Sequence, residues 1–368
     1  MKKIIFILLI LFCLVGCQNT NIVIESTNKE DISQNEQYIK PNEMQQNKEI
    51  VTAKNPLEIH FIDVGQADCI LIKSNEEAML IDAGNNDDAD LIKSYLKSKN
   101  VSELEYVIGT HPHEDHIGSL DTVINNCDIK NVIMPKKATT TKTFEDVVAA
   151  IENNNLSITL PKVGDKYTIG DAEFTILSPV KEDYGSNLNN YSVGILLTYG
   201  ENKFIFTGDA EKEVEEDILA AKIDIDADLM KMGHHGSTTS NSEKFLDKIS
   251  PKIAVITCGV DNSYAHPHQE ILDTLTKRKV ETYRTDLQGN IIVISDGINI
   301  DVKTEKNVVI EIKNETEDTY VLNTNSKTFH NKICDSVGKM SEKNKKEYIG
   351  KREEILQMGY KACGICRP

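Results

Sequence analysis

The stretch Thr110-His111-Pro112-His113-Glu114-Asp115-His116-Ile117-Gly118 decides how this sequence is interpreted, because it offers three imidazoles and an aspartate within six residues. In a loop, alternate side chains can converge on one point. We therefore expect His111 and His113 to share one metal ion, while Asp115 and His116 face a second. Imidazole nitrogen and carboxylate oxygen are ligands that zinc and similar first-row ions accept. A solvated polar loop rarely carries four ligand-type side chains so close together.

Short strands and helices alternate on both sides of this stretch. The segment Leu57 to Asp63 alternates apolar and polar residues, as a half-buried strand does. Hairpins followed by alternating strands and helices predict an α+β fold of αββα type, in which two mixed sheets pack face to face with helices outside. Strands are predicted at 57–63, 68–73, 78–82, 106–109, 131–134, 171–177, 193–199, 203–207 and 229–232, and helices at 88–99, 116–125, 143–154, 212–221, 243–249 and 269–277.

The charge of the chain limits how it can bind a polyanion. Its 368 residues include 41 Lys or Arg and 58 Asp or Glu, which give a formal charge of −17. Binding nucleic acid over a whole surface needs clustered basic residues that displace counterions from phosphates, so this charge argues against that mode. It does not argue against cleavage at a metal centre, because two divalent ions bring about four positive charges to the phosphate.

The N-terminus predicts export and a lipid anchor. Two lysines precede an apolar run from Ile4 to Val15, which is too short to span a bilayer of about 30 Å but has the length of a signal-peptide core. The run ends on Leu14-Val15-Gly16-Cys17, which resembles the bacterial lipobox. We expect residues 1–16 to be a lipoprotein signal peptide, and Cys17 to be lipidated and to hold the chain on the extracellular face of the membrane. Residues 17–54 are predicted to be a disordered tether. A secretory signal with an incidental cysteine is the rival interpretation.

The C-terminal residues predict a second unit. We expect a catalytic domain over 55–300, a linker over 301–318 and a small module with a basic helix over 319–368. One histidine and three cysteines in this module have the spacing of a four-ligand structural zinc site, namely His330, Cys334, Cys363 and Cys366. A disulfide is the rival interpretation in an oxidising compartment. The layout resembles the Ada-type zinc-binding module found at the end of some secreted bacterial nucleases. The module has a formal charge of +5 and the rest of the chain −22, so the module can hold a polyanion.

Four motifs in order resemble those of the metallo-β-lactamase superfamily over about residues 55 to 297. They are the His-x-His-x-Asp-His loop, Ile81-Asp82-Ala83-Gly84, Phe206-Thr207-Gly208-Asp209 and Gly233-His234-His235-Gly236-Ser237. The resemblance implies a sandwich of two mixed sheets around a two-metal site. It also implies that Asp82 braces the metal loop and that Asp209 bridges the ions. We favour His235 over His234 as the last ligand, with the other histidine touching the substrate.

Other segments narrow the resemblance to one branch. Phe61-Ile62-Asp63-Val64-Gly65-Gln66-Ala67-Asp68, Gly208-Asp209-Ala210-Glu211 and His266-Pro267-His268 are similar to the extracellular hydrolase domain of ComEC-type competence proteins. Those domains are thought to act on DNA, and related members cleave other phosphodiesters. Full-length members also carry a many-helix channel. We find no such segment here, so we expect a free-standing hydrolase rather than a DNA translocator.

One departure from the family pattern weakens the first metal site. Most two-metal members place a histidine between the metal loop and the bridging aspartate, yet none occurs between His116 and His234. The first site then has His111, His113 and Asp209, completed by Asn189, Asn190 or water. The second has Asp115, His116, Asp209 and one of the two adjacent histidines. We expect a weakly held first ion that exchanges between zinc and manganese.

The expected chemistry follows from the charge of the ions. Two cations lower the pKa of a shared water from 15.7 to about 7 and neutralise charge on a phosphoryl oxygen. Asp115 or Asp209 can hold the resulting hydroxide in line, and His266 or, with less reason, His268 can donate a proton to the leaving oxygen. A merely polar loop before a helix is the rival interpretation for these two histidines.

These features predict a lipid-anchored metal-dependent hydrolase, most consistent with cleavage of phosphodiester bonds in DNA or RNA. A phosphocholine or teichoic-acid esterase and a lactone or β-lactam hydrolase are the alternatives within the enzyme class. A surface DNA-binding lipoprotein with a degenerate metal loop is the non-enzymatic alternative. Tyr264 and Arg284 are further candidates for contact with a substrate phosphate. The sequence leaves the oligomeric state open.

Overall fold

The structure is a computed structural model that describes residues 55–306, 318–366 and 368. The predicted signal peptide, the lipidated Cys17 and the tether lie outside the described residues, as do residues 307–317 of the predicted linker. In the described part of the chain, no helix combines the length and the hydropathy needed to cross a membrane.

Residues 55–306 form two sheets with helices on their outer faces, as the sequence predicts. The first sheet has the strand order β15-β14-β1-β2-β3-β4-β5-β6 and the second has the order β13-β12-β11-β10-β9-β8-β7. Both sheets are mixed, because each combines parallel and antiparallel pairs. The strands are β1 (Leu57–Phe61), β2 (Ile70–Ser74), β3 (Glu77–Ile81), β4 (Glu103–Ile108), β5 (Asp128–Ile133), β6 (Ile158–Thr159), β7 (Lys166–Ile169), β8 (Ala172–Ser178), β9 (Gly194–Tyr199), β10 (Asn202–Phe206), β11 (Leu229–Lys231), β12 (Ile253–Ile256), β13 (Glu281–Arg284), β14 (Ile291–Ser295) and β15 (Ile300–Thr304).

The two sheets enclose one apolar layer. Leu57, Ile59 and Phe61 of β1 are fully buried in it, and the ring of Phe61 stacks on that of Phe206 from the second sheet, with centroids 6.2 Å apart. Burying a side chain of this size stabilises the fold by about 1.5–3 kcal/mol. This layer fixes how the ends of the two sheets meet, and therefore where the loops beyond those ends lie.

The outer faces of the sheets are covered by amphipathic helices. In α4 the buried residues Val147, Ala150 and Ile151 recur at helical spacing, and Thr141 caps the first turn by accepting a hydrogen bond from the Phe144 backbone at 3.3 Å. The helices are α1 (Ala89–Ser98), α2 (Glu114–Ile117), α3 (Leu120–Asn126), α4 (Lys142–Asn153), α5 (Lys212–Ala220), α6 (Glu243–Ile249), α7 (Gln269–Lys277) and α8 (Thr285–Gln288).

The single helix predicted at 116–125 is wrong, because the chain forms α2 and α3 with a break at Gly118 and Ser119. The Gly118 and Ser119 amides bond to the carbonyls of Gly84 and Ala83, at 2.8 and 3.1 Å, instead of continuing the helical pattern. A Cβ on Gly118 would lie 2.2 Å from the Asn85 carbonyl carbon, so only glycine fits this close approach. The break therefore ties the metal loop to the end of β3.

The first unit also extends past its predicted boundary at residue 300. Strand β15 pairs antiparallel with β14 along its whole length, from Ile300 opposite Ser295 to Thr304 opposite Ile291. Residues 301–304, predicted to be linker, thus form the edge of the first sheet. Their alternating pattern is short and partly exposed, which is why it resembles linker sequence.

Residues 318–366 form a separate four-stranded sheet with the order β18-β16-β17-β19. Its apolar core is small and consists of Tyr320, Leu322, Phe329, Ile355 and Tyr360. Part of the predicted basic helix is strand, because the lysine-rich segment β18 pairs with β16 along its length. The elements are β16 (Asp318–Asn323), β17 (Thr328–Asn331), α9 (Asp335–Gly338), β18 (Lys345–Gly350), α10 (Arg352–Gln357) and β19 (Lys361–Ala362).

Candidate metal centre

The candidate centre lies beyond the carboxyl ends of strands from both sheets. Asp82 follows β3, the His-x-His-x-Asp-His loop follows β4, and Asp209 follows β10. His234 and His235 follow β11, which runs parallel to β10. Because the carboxyl ends of parallel strands meet at one edge, the fold brings together side chains as far apart in sequence as Asp82 and His235, which are 153 residues apart.

Four of the predicted ligands meet in a single group. One ligand atom each from Asp115, His116, Asp209 and His235 lies within 4.8 Å of the others. Asp209 Oδ2 is 3.2 Å from His116 Nε2 and 3.6 Å from His235 Nε2. His235 Nε2 is in turn 3.4 Å from Asp115 Oδ2. This set has the composition predicted for the second metal site.

The atoms of this group fit a divalent cation. His116 Nε2, His235 Nε2 and Asp209 Oδ1 are buried and make no hydrogen bond, a costly arrangement for polar atoms. Burial opposes charge on His235, but Asp209 and Asp68 outweigh it and raise its pKa to about 9. The pKa of His116 is raised well above its usual range for the same reason, with Asp209, Asp115 and Asp82 outweighing burial. Bound ions would take the place of these protons and satisfy the same carboxylates.

Asp82 braces the metal loop, in the role implied for it by the family resemblance. Its two carboxylate oxygens accept hydrogen bonds from the Thr110 backbone and hydroxyl, both at 2.7 Å, and Oδ2 lies 2.7 Å from His116 Nδ1. With its Nδ1 proton directed at Asp82, His116 presents Nε2 to the centre. His235 is oriented in the same way, because its Nδ1 lies 2.9 Å from the Thr257 carbonyl.

A buried ion pair lies under the centre, and sequence reasoning missed it. Lys231 is fully buried and bonds to the buried carboxylate of Asp68, which also accepts a hydrogen bond from the Thr257 hydroxyl. Asp68 Oδ1 lies 3.4 Å from His235 Nδ1, and Lys231 Nζ lies 4.0 Å from Asp209 Oδ1. The signal was present in the sequence, since a lysine inside the apolar strand Leu229–Lys231 needs a buried partner.

The two histidines predicted for the first site contact each other. His111 Nε2 is 2.9 Å from His113 Nδ1, and the buried His111 ring is held on its other side by Thr110 Oγ1 at 3.1 Å and Ser192 Oγ at 3.3 Å. Burial and the neighbouring His116 lower the pKa of His111 well below its usual range, so this ring is neutral. The two imidazoles can act as metal ligands once the hydrogen bond between the two rings is given up.

The two asparagines offered for the first site have different roles in the structure. Asn190 Oδ1 accepts a hydrogen bond from the Glu211 backbone at 3.1 Å and so fixes the loop after Asp209. Asn189 Oδ1 is buried without a hydrogen-bond partner, although its amide nitrogen donates to Glu211 at 3.4 Å. Of the two, Asn189 is therefore the one with an oxygen available to a cation or a substrate.

The remaining predicted histidines, His234, His266 and His268, have rings next to His235 or next to one another, and we call this side of the group the entrance to the centre. His234 Nε2 is 3.6 Å from Asp209 Oδ2, and its ring is partly exposed. Burial, followed by the neighbouring His234, His235 and His268, lowers the pKa of His266 to about 3, so this ring is neutral at pH 7. His268 Nδ1 accepts a hydrogen bond from the Thr238 backbone at 2.9 Å, which leaves its Nε2 as the protonated nitrogen.

Arg284 does not reach the entrance as a free cation. Its guanidinium makes two hydrogen bonds to the carboxylate of Asp286, at 3.0 and 2.6 Å. This bidentate pair compensates the charge of the guanidinium and uses two of its five N–H donors. The structure thus gives no support to the expectation that Arg284 contacts a substrate phosphate.

The four predicted zinc ligands of the C-terminal module also come together. One ligand atom each from His330, Cys334, Cys363 and Cys366 lies within 4.8 Å of the others, and His330 Nδ1 is buried without a hydrogen-bond partner. Backbone amides at Asn331 and Ile365 point at the sulfurs of Cys366 and Cys363, both at 3.4 Å. A hydrogen bond with His330 lowers the pKa of Cys334 to about 6. All six cysteines in the described part of the chain are free thiols, so this cluster fits a tetrahedral zinc site.

The fold and the centre together define a metal-dependent hydrolase of αββα architecture. Residues 62–260 match the family model described as the metallo-beta-lactamase superfamily, and the chain belongs to that superfamily. The metallo-beta-lactamase fold protein YhfI from Bacillus subtilis superposes with a TM-score of 0.42 at 12% identity, covering 62% of this chain and 95% of that one.

Similar curated proteins carry competence and recombination names. The chain is 32% identical over 252 residues to ComE operon protein 3 of Bacillus subtilis, covering 64% of this chain and 32% of that protein. It is 28% identical over 246 residues to Recombination protein 2 of Haemophilus influenzae, covering 66% and 29%. The chain spans about a third of the length of these relatives. With Competence protein ComA of Neisseria gonorrhoeae, they assign it to the competence-type branch of the superfamily.

Proposed function

We propose that this protein is a lipid-anchored phosphodiesterase that cleaves DNA or RNA on the extracellular face of the membrane. The observation that carries the proposal is the group formed by Asp115, His116, Asp209 and His235, with its buried polar atoms that lack hydrogen bonds. The competence and recombination names of the relatives favour a nucleic acid over other phosphodiesters.

The residues present fit one ion at the four-residue group. We propose a second ion held by the His111–His113 pair, with Asp209 as the shared carboxylate that the family resemblance implies. Divalent ions at these positions would supply hydroxide at neutral pH and neutralise negative charge that develops on a phosphoryl oxygen. We propose zinc or manganese, because the donors are imidazoles and carboxylates without a thiolate. Asp209 would contribute a carboxylate ligand to both ions.

The protein itself orients the reacting groups. Asp115 has a side chain that is 32% exposed, so its carboxylate reaches both the centre and the entrance and can align the attacking oxygen. Gln66 Nε2 lies 3.3 Å from His266 Nδ1; if the amide donates there, the opposite nitrogen of His266 carries a proton that faces the entrance. In its neutral form His266 stabilises the leaving oxygen by a hydrogen bond and does not transfer a full proton. We propose that the partly exposed His234 contacts a phosphoryl oxygen.

The membrane anchor and the structural zinc belong to the same proposal. Lipid on Cys17 would hold the protein at the membrane through its N-terminus, as the lipobox resemblance implies. Zinc bound by His330 and the three cysteines would hold the C-terminal module together. A Cys17→Ser variant should leave the membrane fraction, which immunoblotting of fractionated cells measures. Retention of that variant in the membrane would contradict the anchor.

The enzymatic proposal is tested with the full chain in detergent micelles and added zinc or manganese. The substrates are plasmid DNA, single-stranded DNA, RNA and bis-p-nitrophenyl phosphate. We expect turnover by the wild type and a fall in kcat/KM of about 10³-fold or more for Asp209→Asn, because several kcal/mol of charge stabilisation are lost. Asp226→Asn is the matched control, since Asp226 is exposed and precedes β11 at its far end.

The other outcomes identify the alternatives. If the wild type is inert on every substrate but retains DNA, the protein is a DNA-binding lipoprotein and the enzymatic proposal fails. Turnover of phosphocholine or teichoic-acid esters without turnover of nucleic acid would assign the centre to the esterase alternative.

A further inference from the structure

Tyr264 is an exposed aromatic side chain at the entrance to the metal centre. It lies in the loop between β12 and α7 and is 65% exposed, and Val260 in the same loop is 70% exposed. Single exposed apolar side chains are common on folded domains, so the position of this ring next to the metal centre matters more than its exposure. A ring left open to solvent beside a catalytic centre is therefore a candidate contact for a ligand.

The loop that carries Tyr264 is anchored by hydrogen bonds of one side chain. The Asn262 side chain crosses the loop and bonds to the Gly259 carbonyl at 2.9 Å, to the His266 carbonyl at 2.5 Å and to the His266 amide at 3.0 Å. Ala265, the residue after Tyr264, has a φ of 65°, a left-handed conformation that costs free energy in a residue with a Cβ. These hydrogen bonds anchor the backbone of the loop that carries the ring, in spite of local strain.

Tyr264 is connected to the centre through two histidine rings. Its ring stacks on His266 with centroids 5.7 Å apart and an angle of 21° between the planes. The His266 ring lies 5.2 Å from that of His234, whose Nε2 is 3.6 Å from Asp209 Oδ2. One face of Tyr264 is therefore supported by His266, and the other is open to a planar group next to the phosphate position.

We propose that Tyr264 is a stacking platform for one base of a nucleic-acid strand whose phosphate lies at the metal centre. This inference rests on the proposed function and names its substrate class as an unpaired nucleotide. Bases in a duplex are already stacked on their neighbours, whereas an unpaired base is free to stack on an aromatic ring. A sugar or glycerol phosphate polymer has no planar group for this surface. Choline binds over aromatic faces as a cation, so phosphocholine is the ligand to test against the base.

The chain has no tryptophan, which allows a direct binding test. In the full chain, Tyr264→Trp introduces a single tryptophan at the proposed platform, which can be excited selectively beside the tyrosines. We expect its emission to be quenched by a single-stranded thymidine oligonucleotide and much less by an abasic strand of equal length. Ile298→Trp is the control, because Ile298 is 67% exposed and lies in the turn between β14 and β15, at the opposite end of the strands. Its emission should not respond.

A kinetic test measures the same contact. The wild type should prefer the intact strand over the abasic strand in kcat/KM by about fivefold or more, which is the lower end of measured base stacking on an aromatic ring. Tyr264→Ala should reduce that ratio towards one, and Tyr264→Phe should keep it. The Ile298→Ala control should leave the ratio unchanged.

The outcomes separate this inference from the proposed function. Turnover of nucleic acid with equal use of intact and abasic strands by the wild type would overturn the base platform and leave the nuclease standing. Quenching by the intact strand without any turnover would overturn the nuclease and support the platform. Quenching by phosphocholine, with none from the oligonucleotide, would overturn the platform in favour of a cation site.

Discussion

The protein contains two clusters of metal-ligand side chains that are supported in different ways. The cluster of Asp115, His116, Asp209 and His235 lies at the junction of two large sheets with three extensive apolar clusters behind it. The cysteine and histidine cluster of the C-terminal module is attached to a core of only five buried side chains. The first cluster is placed by the fold, whereas the second must contribute to the stability of its own fold.

The comparison also explains the choice of ligands. Imidazole and carboxylate ligands leave room for an exchangeable water, as a catalytic centre requires, and Asp115 remains partly exposed to the entrance. Three thiolates and one imidazole close a tetrahedral site completely. The first cluster is thus suited to chemistry and the second to structure.

The largest expected effect is loss of the module fold without loss of the hydrolase domain. Cys363→Ala removes one of the four predicted zinc ligands, and a structural zinc contributes on the order of 10 kcal/mol to the folding of such small units. We expect amides of residues 318–366 to lose protection from hydrogen exchange while those of β1 to β14 keep it. Cys127→Ala is the control, since Cys127 is a free thiol that belongs to neither cluster. Retained protection in the module would show that its apolar core is sufficient.

The second prediction concerns the buried ion pair under the catalytic cluster. Lys231→Met leaves the Asp68 carboxylate buried without its cation, which costs about 3–5 kcal/mol of the free energy of unfolding. Denaturant unfolding of the hydrolase domain measures the loss. We expect the double variant Asp68→Asn with Lys231→Met to regain part of it, and Lys244→Met, an exposed position, to change little. An unchanged unfolding midpoint in Lys231→Met would mean that the ion pair contributes nothing.

A smaller effect is expected at the brace of the metal loop. Asp82→Asn keeps the shape of the side chain but loses the charge that orients His116, so zinc or manganese affinity should fall about 10- to 100-fold. Isothermal titration of the metal-free protein measures this affinity. Asp87→Asn is the matched control, because Asp87 is exposed five residues further along. Equal affinities for the wild type and Asp82→Asn would remove Asp82 from the site.

The smallest effect is expected where the two regions touch. Arg352 of α10 bonds to Asp273 of α7 at 3.0 Å and to the Pro368 carbonyl at 2.8 Å. Ion pairs near the surface contribute about 1 kcal/mol or less, so Arg352→Ala should only slightly increase amide hydrogen exchange in α7 and α10. Hydrogen exchange read by mass spectrometry measures this change, with Lys343→Ala as an exposed control. Unchanged exchange would show that the contact stabilises neither helix.

Much of the architecture was predictable because it depends on local pattern. Apolar alternation in Leu57 to Asp63 and helical periodicity in 143–154 each reflect one buried face, and the structure has β1 and α4 there. The helix predicted at 116–125 was wrong because its break depends on a contact with Asn85, which no local pattern contains. Strand β15 was not predicted, because its half-exposed residues show little of the apolar and polar alternation that indicates a strand.

The candidate ligands could be predicted from the sequence, because a cluster of imidazoles and carboxylates directly after a strand has few roles other than metal binding. Their arrangement was decided only by the tertiary structure. The sequence left open the choice between Asn189 and Asn190, and only packing against Glu211 distinguishes their oxygens. The partnership of Lys231 with Asp68 spans 163 residues, so it exists only once the two sheets have packed. Composition and spacing determine which chemistry is possible, and long-range packing determines which atoms face one another to perform it.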